Sequence, residues 1–265
     1  MNVVVFGLLT IALYLFVAMR INNAAGTSAA RINFGFITGS CAIFALATHA
    51  LSLYPLIVIE GGINLGIFSA ASLIAWLIAV LALTTAIFRP VGSLAVVILP
   101  FSALVIAVSI FFSSENIVPS STGMALHIAL SLIAYSLFAI ATLQAIYLLL
   151  AEQRLKQHTP LFGFLPPLPV MEHTLFQITA VAFVTLSLGL LLGVFQIESV
   201  RGQHLSHKIV FSLLAWLVFA CILWGRHFRH WRGRRASKYV IGGFVSLALG
   251  FFGSKIALEL ILQRA

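Results

Sequence analysis

Eight runs of about twenty apolar residues follow one another along this chain, and the stretches between them are too short to fold alone. The runs lie at about 2–19, 32–54, 63–88, 92–112, 123–151, 174–197, 208–225 and 239–261. Crossing a bilayer takes roughly 20 apolar residues in a helix, which satisfies its own backbone donors and acceptors where water is absent. The apolar positions are continuous instead of alternating, so a transmembrane β-barrel is excluded. Only 8% of the residues are charged, against about 25% in soluble globular proteins. Most of the exterior must therefore face lipid. The expectation is an all-α, polytopic membrane protein, a bundle of about eight transmembrane helices forming one integral-membrane domain over residues 1–265.

The first run has no basic segment before it, since Met1-Asn2 leads straight into Val3. It is read as a retained span and not as a secretory signal. Orientation follows from Lys and Arg. Numbering the loops by parity, one side collects Arg20, Arg31, Arg89, Arg154, Lys156, Arg226, Arg229, Arg232, Arg234, Arg235 and Lys238. The other side has Arg201, Lys208, Lys255 and Arg264. The first group is expected to be cytoplasmic, which leaves both termini periplasmic in a bacterial inner membrane. The net charge of +9 is then mainly a topology signal. "RHFRHWRGRRASK" (226–238) reads as an anchor at the headgroups, and no nucleic-acid partner is expected.

The six acidic residues, Glu60, Glu115, Glu152, Glu172, Glu198 and Glu259, all fall in loops or near span ends. Ion-coupled carriers place ionisable groups inside the bundle, so an energised transporter is disfavoured. Cys41 and Cys221 lie in separate spans without a CxxC, which excludes a self-contained thiol-disulfide carrier. No HExxH, GxSxG or P-loop occurs, so an enzyme is not expected.

Polar groups inside the spans are what remains. Of eight histidines only His49 and His127 are surrounded by apolar sequence. His49 lies about five residues before the outer end of the second run, and His127 about four inside the outer start of the fifth. At about 1.5 Å per residue both sit ~6–8 Å below the same boundary. Stepping about 100° per residue from His127, Ser131, Tyr135 and Thr142 fall within an arc of about 80°, the arc expected to face the bundle interior. Thr38 and Ser52 lie near the His49 side, and Gly35 with Gly39 suggests a close-approach surface. Two neutral imidazoles in one apolar layer suit two chemistries. They can ligate a haem iron axially, or they can hydrogen-bond helices together, worth about 0.6 kcal/mol each on average in membranes. Zinc would ask for four ligands and is disfavoured.

"MALHIALSLIAYSLFAIA" (124–141) resembles the H-V-x-x-x-x-x-x-Y-A span of the cytochrome c assembly family, membrane haem handlers that include CcsA and CcmC. "LPPLPVMEHTLFQITAVAFVTLSLGLLLGV" (165–194) is similar to a further segment of that family. "LLAWLVFACILWGRHFRHWRGRRASKYVIGGFVSLALGFFG" (213–253) is similar to its last two spans, down to the W-R-G-R-R turn at Trp231 to Arg235. "ATHALSL" resembles the early-span histidine at His49. The likeness covers about two thirds of the chain, is strongest from 120 to 253, and suits the compact YpjD or HemX-like branch.

The resemblance implies haem as cofactor, a part in cytochrome c biogenesis, and His127 and His49 as ligands with Tyr135 lining the site. It also implies two more ligands. The partner of His49 falls at Trp224, and none is found for the partner of His127, although His204 and His207 stand at a comparable height. The tryptophan-rich haem loop of CcsA and CcmC corresponds here to "QIESVRGQHLSHK" (196–208), which has no tryptophan. A second reading follows: an accessory or scaffold subunit that keeps the fold, fills haem space with Trp224 and docks a membrane partner protein. A small-molecule channel or carrier is a third.

Overall fold

A computed structural model of the chain describes residues 2–25, 35–59, 62–88, 92–118, 121–158, 166–196, 206–253 and 255–256. The elements in order are α1 (Val3–Ala25), α2 (Phe36–Ile57), β1 (Val58–Ile59), β2 (Gly62–Asn64), α3 (Ile67–Phe88), α4 (Gly92–Phe111), β3 (Ile117–Val118), α5 (Thr122–Lys156), α6 (Leu168–Gln196), α7 (Ser206–Arg229) and α8 (Gly233–Ala248). A π-helical turn, Leu249–Gly253, continues α8. Among the described residues eight helices are long and apolar enough to cross a bilayer.

Two helices outrun their apolar stretches. α5 has 35 residues, about 52 Å of helix against a hydrocarbon core of ~30 Å. Its last turns, through Glu152, Arg154 and Lys156, are good helix formers and continue the ladder once outside hydrocarbon. α6 starts at Leu168, six residues before the expected 174, with Pro169 in the first turn, where a missing N–H costs nothing. The described parts of the segment 153–174 complete α5 and open α6.

The chain divides into two compact units, Met1–Pro119 with Pro160–Pro166, and Ser120–Thr159 with Pro167–Ala265. In the first unit α1 packs on α2 and α4, and α3 on α4 and α2, closing a four-helix ring. Tyr14, Val17 and Ile21 of α1 and Leu99 and Ile106 of α4 are fully or almost fully buried at its centre, with Ala45 of α2 between them. Small side chains let helices approach closely, and packing is what holds helices together in lipid. Gly35 takes no part in such an approach, because a Cβ there would meet open space.

At one end of this unit the chain forms a small antiparallel sheet in the order β1-β2-β3. Val58 pairs with Ile63, and Ile63 with Val118. Asn64 is the keystone of this end. Its Nδ2 donates to the carbonyls of Leu56 (3.2 Å) and Ser114 (3.3 Å), and its Oδ1 accepts from the amides of Gly66 (2.9 Å) and Asn116 (3.0 Å).

In the second unit α5 packs on α6 and α8, and α7 on α8 and α6. Phe138 of α5 stacks on Phe219 of α7 with ring centroids 3.7 Å apart, and both are fully buried. The turn between α7 and α8 is built from specific contacts. The Trp231 amide donates to the Gly225 carbonyl (3.1 Å), and its ring stacks on Tyr239. Arg226 donates through Nη1 to Glu172 of α6 and to the Trp231 carbonyl, while its guanidinium lies 4.5 Å from the Phe176 ring centroid.

Candidate functional site

His49 and His127 occupy opposite kinds of environment. His49, on α2, is completely buried in the first unit. Its Nδ1 lies 3.0 Å from the Tyr14 hydroxyl of α1, and its Nε2 lies 3.2 Å from the Ser72 hydroxyl of α3. Next to it Thr10 of α1 donates to the Thr48 hydroxyl (2.8 Å), and Trp76 of α3 donates to the Leu46 carbonyl (2.9 Å). Ser52 returns its hydroxyl to the His49 carbonyl. Thr38 is also buried, so the polar side of α2 does face inward. Both ring nitrogens of this imidazole are engaged, one by each neighbouring helix. A ring so placed clamps three helices.

His127, on α5, is partly exposed in the second unit. Its Nδ1 lies 2.8 Å from the carbonyl oxygen of Gly189 on α6. A carbonyl only accepts, so Nδ1 carries the proton and Nε2 keeps a bare lone pair. Among the described residues nothing hydrogen-bonds Nε2. The ring can lie this close to α6 because residue 193 is glycine. A Cβ there would stand 2.9 Å from Cε1 of the imidazole. An imidazole held by Nδ1–H to a backbone carbonyl, with Nε2 free, is the common arrangement of a metal-ligating histidine. An iron-bearing group would find a nitrogen donor at His127 Nε2, whereas both ring nitrogens of His49 are engaged with Tyr14 and Ser72.

Tyr135 is buried on the same side of α5, eight residues or about 12 Å of helix beyond His127. Its hydroxyl donates to the Leu247 carbonyl (2.8 Å), at the point where α8 passes into its π turn, and its ring packs on Phe251. Tyr135 thus holds α8, and no contact joins it to the His127 ring. Thr142 is buried as expected, with its hydroxyl unpartnered. Trp224 was expected to fill space inside the bundle under the scaffold reading. It is 52% exposed, with its ring against Phe228. The side chain sits on an outward face of α7, so helix phase and not size overturns that assignment. His204 and the side chain of His207 lie outside the described residues. Lys255, counted as an outer loop cation from sequence, is helical and buried, with its ammonium 5.6 Å from the Phe251 ring centroid. Among the described residues no three His, Cys, Asp or Glu side chains converge on a metal-sized site.

Sequence reasoning missed Tyr14, Ser72, Gly189 and Gly193, the groups that decide what each histidine can do. A tyrosine and a threonine four residues apart on α1, whose residues are otherwise apolar through Met19, were the available signal for Tyr14. No solved structure matches the chain. The inner membrane protein YpjD of Escherichia coli (strain K12) is 33% identical over 225 residues, covering 83% of this chain and 86% of its own length. An uncharacterised 28.8 kDa protein of Azospirillum brasilense is 30% identical over 141 residues, 52% of each chain. The cytochrome c biogenesis protein CcsA of Trichormus variabilis is 29% identical over 85 residues, 31% of this chain and 24% of its own. The cytochrome C assembly protein family matches residues 37–262, from α2 through α8 but not α1, and this multi-pass membrane chain belongs to that family.

Proposed function

We infer that the protein handles haem in c-type cytochrome biogenesis, in a bacterial inner membrane, with His127 as the iron ligand. The observation carrying this reading is the Nδ1–H bond of His127 to Gly189, which leaves Nε2 unclaimed. His127 Nε2 would hold the haem, which would supply a Lewis-acidic iron. The chain's own part is orientation. The Gly189 carbonyl fixes the tautomer, and Gly193 admits the ring. His49 enters as a clamp and not as a second ligand. The family membership and the names of the YpjD and CcsA relatives support the same function and compartment. The Arg-rich ends of α7 and α8 then face the cytoplasm.

The test is an optical spectrum of detergent-purified protein after haem supplementation. The wild type should show a Soret band, His127→Ala should lose it, and His49→Ala should keep its position. No band in the wild type, or an unchanged one in His127→Ala, would refute the reading.

A second reading has its own support. His49 and Tyr135, two of the three candidate residues, spend their polar atoms on neighbouring helices. On that reading the chain is an accessory subunit that docks a membrane partner protein. A chromophore-free protein that co-purifies with an integral partner would favour it. Failure of cytochrome c maturation in a deletion strain, restored by wild type but not by His127→Ala, would favour the first.

A further inference from the structure

A groove in the second unit lies apart from both histidine sites. It has a volume of about 390 Å³ and opens between the start of α6 and the end of α7. Its lining is part polar, with His173, Gln177, Arg226 and His227, and part apolar, with Phe176, Ala180 and Leu223. The two histidines are exposed and Phe176 is buried, which sets a polar mouth over an apolar floor. From His173 to Ala180 the wall runs seven residues, about 10 Å of helix. His173 and His227 are exposed, and neither makes a side-chain hydrogen bond within the described residues. Arg226 is held rigid at the lip by Glu172, the Trp231 carbonyl and the Phe176 ring. Both hydrogen bonds use Nη1, so the Nε and Nη2 donors have no protein acceptor among the described residues.

The surroundings are strongly basic. Arg229, Arg232, Arg234, Arg235 and Lys238 follow Arg226 within twelve residues, with Glu172 and Glu152 as the acidic groups packed at this end. Two lipid-facing helices need no polar notch at their ends. A notch with donor-rich lips in basic surroundings and a greasy floor matches an amphiphile with a negative head and a hydrocarbon tail. A zwitterionic lipid would bring its own cation into a region already positive. A free phosphate would gain nothing from the floor.

We propose that this groove binds one anionic phospholipid, its phosphate at His173, Arg226 and His227 and an acyl chain along Phe176, Ala180 and Leu223. Basic recesses between helices are suited to anionic headgroups, at about 1 kcal/mol per basic residue near the surface. Occupancy would join α6 to α7 on their lipid side, next to the Arg226–Glu172 pair that joins them from within the unit.

The experiment uses the full chain in phosphatidylcholine nanodiscs doped with phosphatidylglycerol, with bound lipids counted by native mass spectrometry after release into detergent. The wild type should retain phosphatidylglycerol selectively. Ala180→Trp, which fills the floor, and the double variant His173→Ala/His227→Ala, which strips the mouth, should each lower retention by about tenfold. Both changes lie at the groove surface, and if one variant does not fold the other decides. Equal retention in the folded variants, or equal retention of the two lipids by the wild type, would overturn the proposal. Displacement of the lipid by inorganic phosphate would also overturn it, in favour of a free-anion site.

Discussion

The Gly189 carbonyl accepts a hydrogen bond from Nδ1–H of His127 at 2.8 Å, and Gly193, one turn further along α6, leaves room for the ring that donates it. These two glycines should respond differently to the same change. A Cβ at 189 meets Ser131 Oγ at 3.5 Å, an ordinary contact, whereas a Cβ at 193 meets Cε1 of His127 at 2.9 Å. Gly189→Ala should be neutral or stabilising by up to about 1 kcal/mol, the gain in helix propensity. Gly193→Ala should cost about 1–3 kcal/mol through overpacking and weaken haem binding by turning Nε2 away. Thermal unfolding in mild detergent and a haem titration of both variants check this. Equal behaviour of the two would mean that the His127 ring is not seated as described.

The His49 cluster offers a test in the first unit. Tyr14→Phe and His49→Ala each leave a buried polar group without its partner, at about 1–3 kcal/mol. Because the two groups share one bond, the double variant should cost less than the sum of the singles, by about 0.6 kcal/mol and at most ~1.7. Reversible unfolding in mixed micelles gives the three values. Strict additivity would show that the hydroxyl and the ring do not interact.

Much of this was legible in the sequence because lipid leaves a chain few options. Apolar runs fixed the eight helices, and the inward stripe on α5 could be read from the spacing of Tyr135 and Thr142. Helix ends were less legible, since Glu152 to Lys156 keep helical form after hydrophobicity has ceased to report on it. The β1-β2-β3 sheet escaped notice because its third strand lies more than fifty residues from the second, and strands of two or three residues have no usable period. Least legible were the tasks of the two histidines. Both look alike in sequence, and only the helices packed against them make one a clamp and leave the other a free nitrogen.

The first residue of α8 is a glycine that side chains cannot readily replace. Gly233 has φ +52°, and a Cβ there would overlap the Glu152 carboxylate of α5. Gly233→Ala should lose about 1–2 kcal/mol from the left-handed backbone alone, with more from the overlap. Adding Glu152→Ala should recover only the second part. A trypsin time course at the Arg-rich turn, alongside thermal unfolding, separates the two: faster cleavage in Gly233→Ala, partial protection in the double variant. Full recovery would place the whole cost in the clash.

His230, three residues earlier, also has a left-handed backbone, with φ +50°, and its side chain is exposed. Here glycine is the better residue. His230→Gly should stabilise the protein by up to about 1 kcal/mol, since it relieves a strained φ without removing a side-chain contact, though the gain is reduced by the greater freedom of glycine in the unfolded chain.

Asn64 provides the sharpest separation of hydrogen bonding from charge. Its two donors reach carbonyls of Leu56 and Ser114, and its oxygen accepts two amides, all in a nearly buried position that joins the end of α2 to the segment after α4. Asn64→Ala strands several backbone groups, each worth about 1–3 kcal/mol where water cannot reach. Asn64→Asp retains the shape and the acceptor side. It turns the donor side into an oxygen facing two carbonyl oxygens, so the aspartate is either charged and unpaired or protonated with a single donor. Asn64→Asp should therefore be no better tolerated than Asn64→Ala, although it is nearly isosteric. Amide exchange at Gly66 and Asn116, measured by hydrogen–deuterium mass spectrometry, should rise in Asn64→Ala, which removes their acceptor, and less in Asn64→Asp, which keeps it. An aspartate as stable as wild type would show that the two donor bonds contribute nothing to holding this end of the first unit.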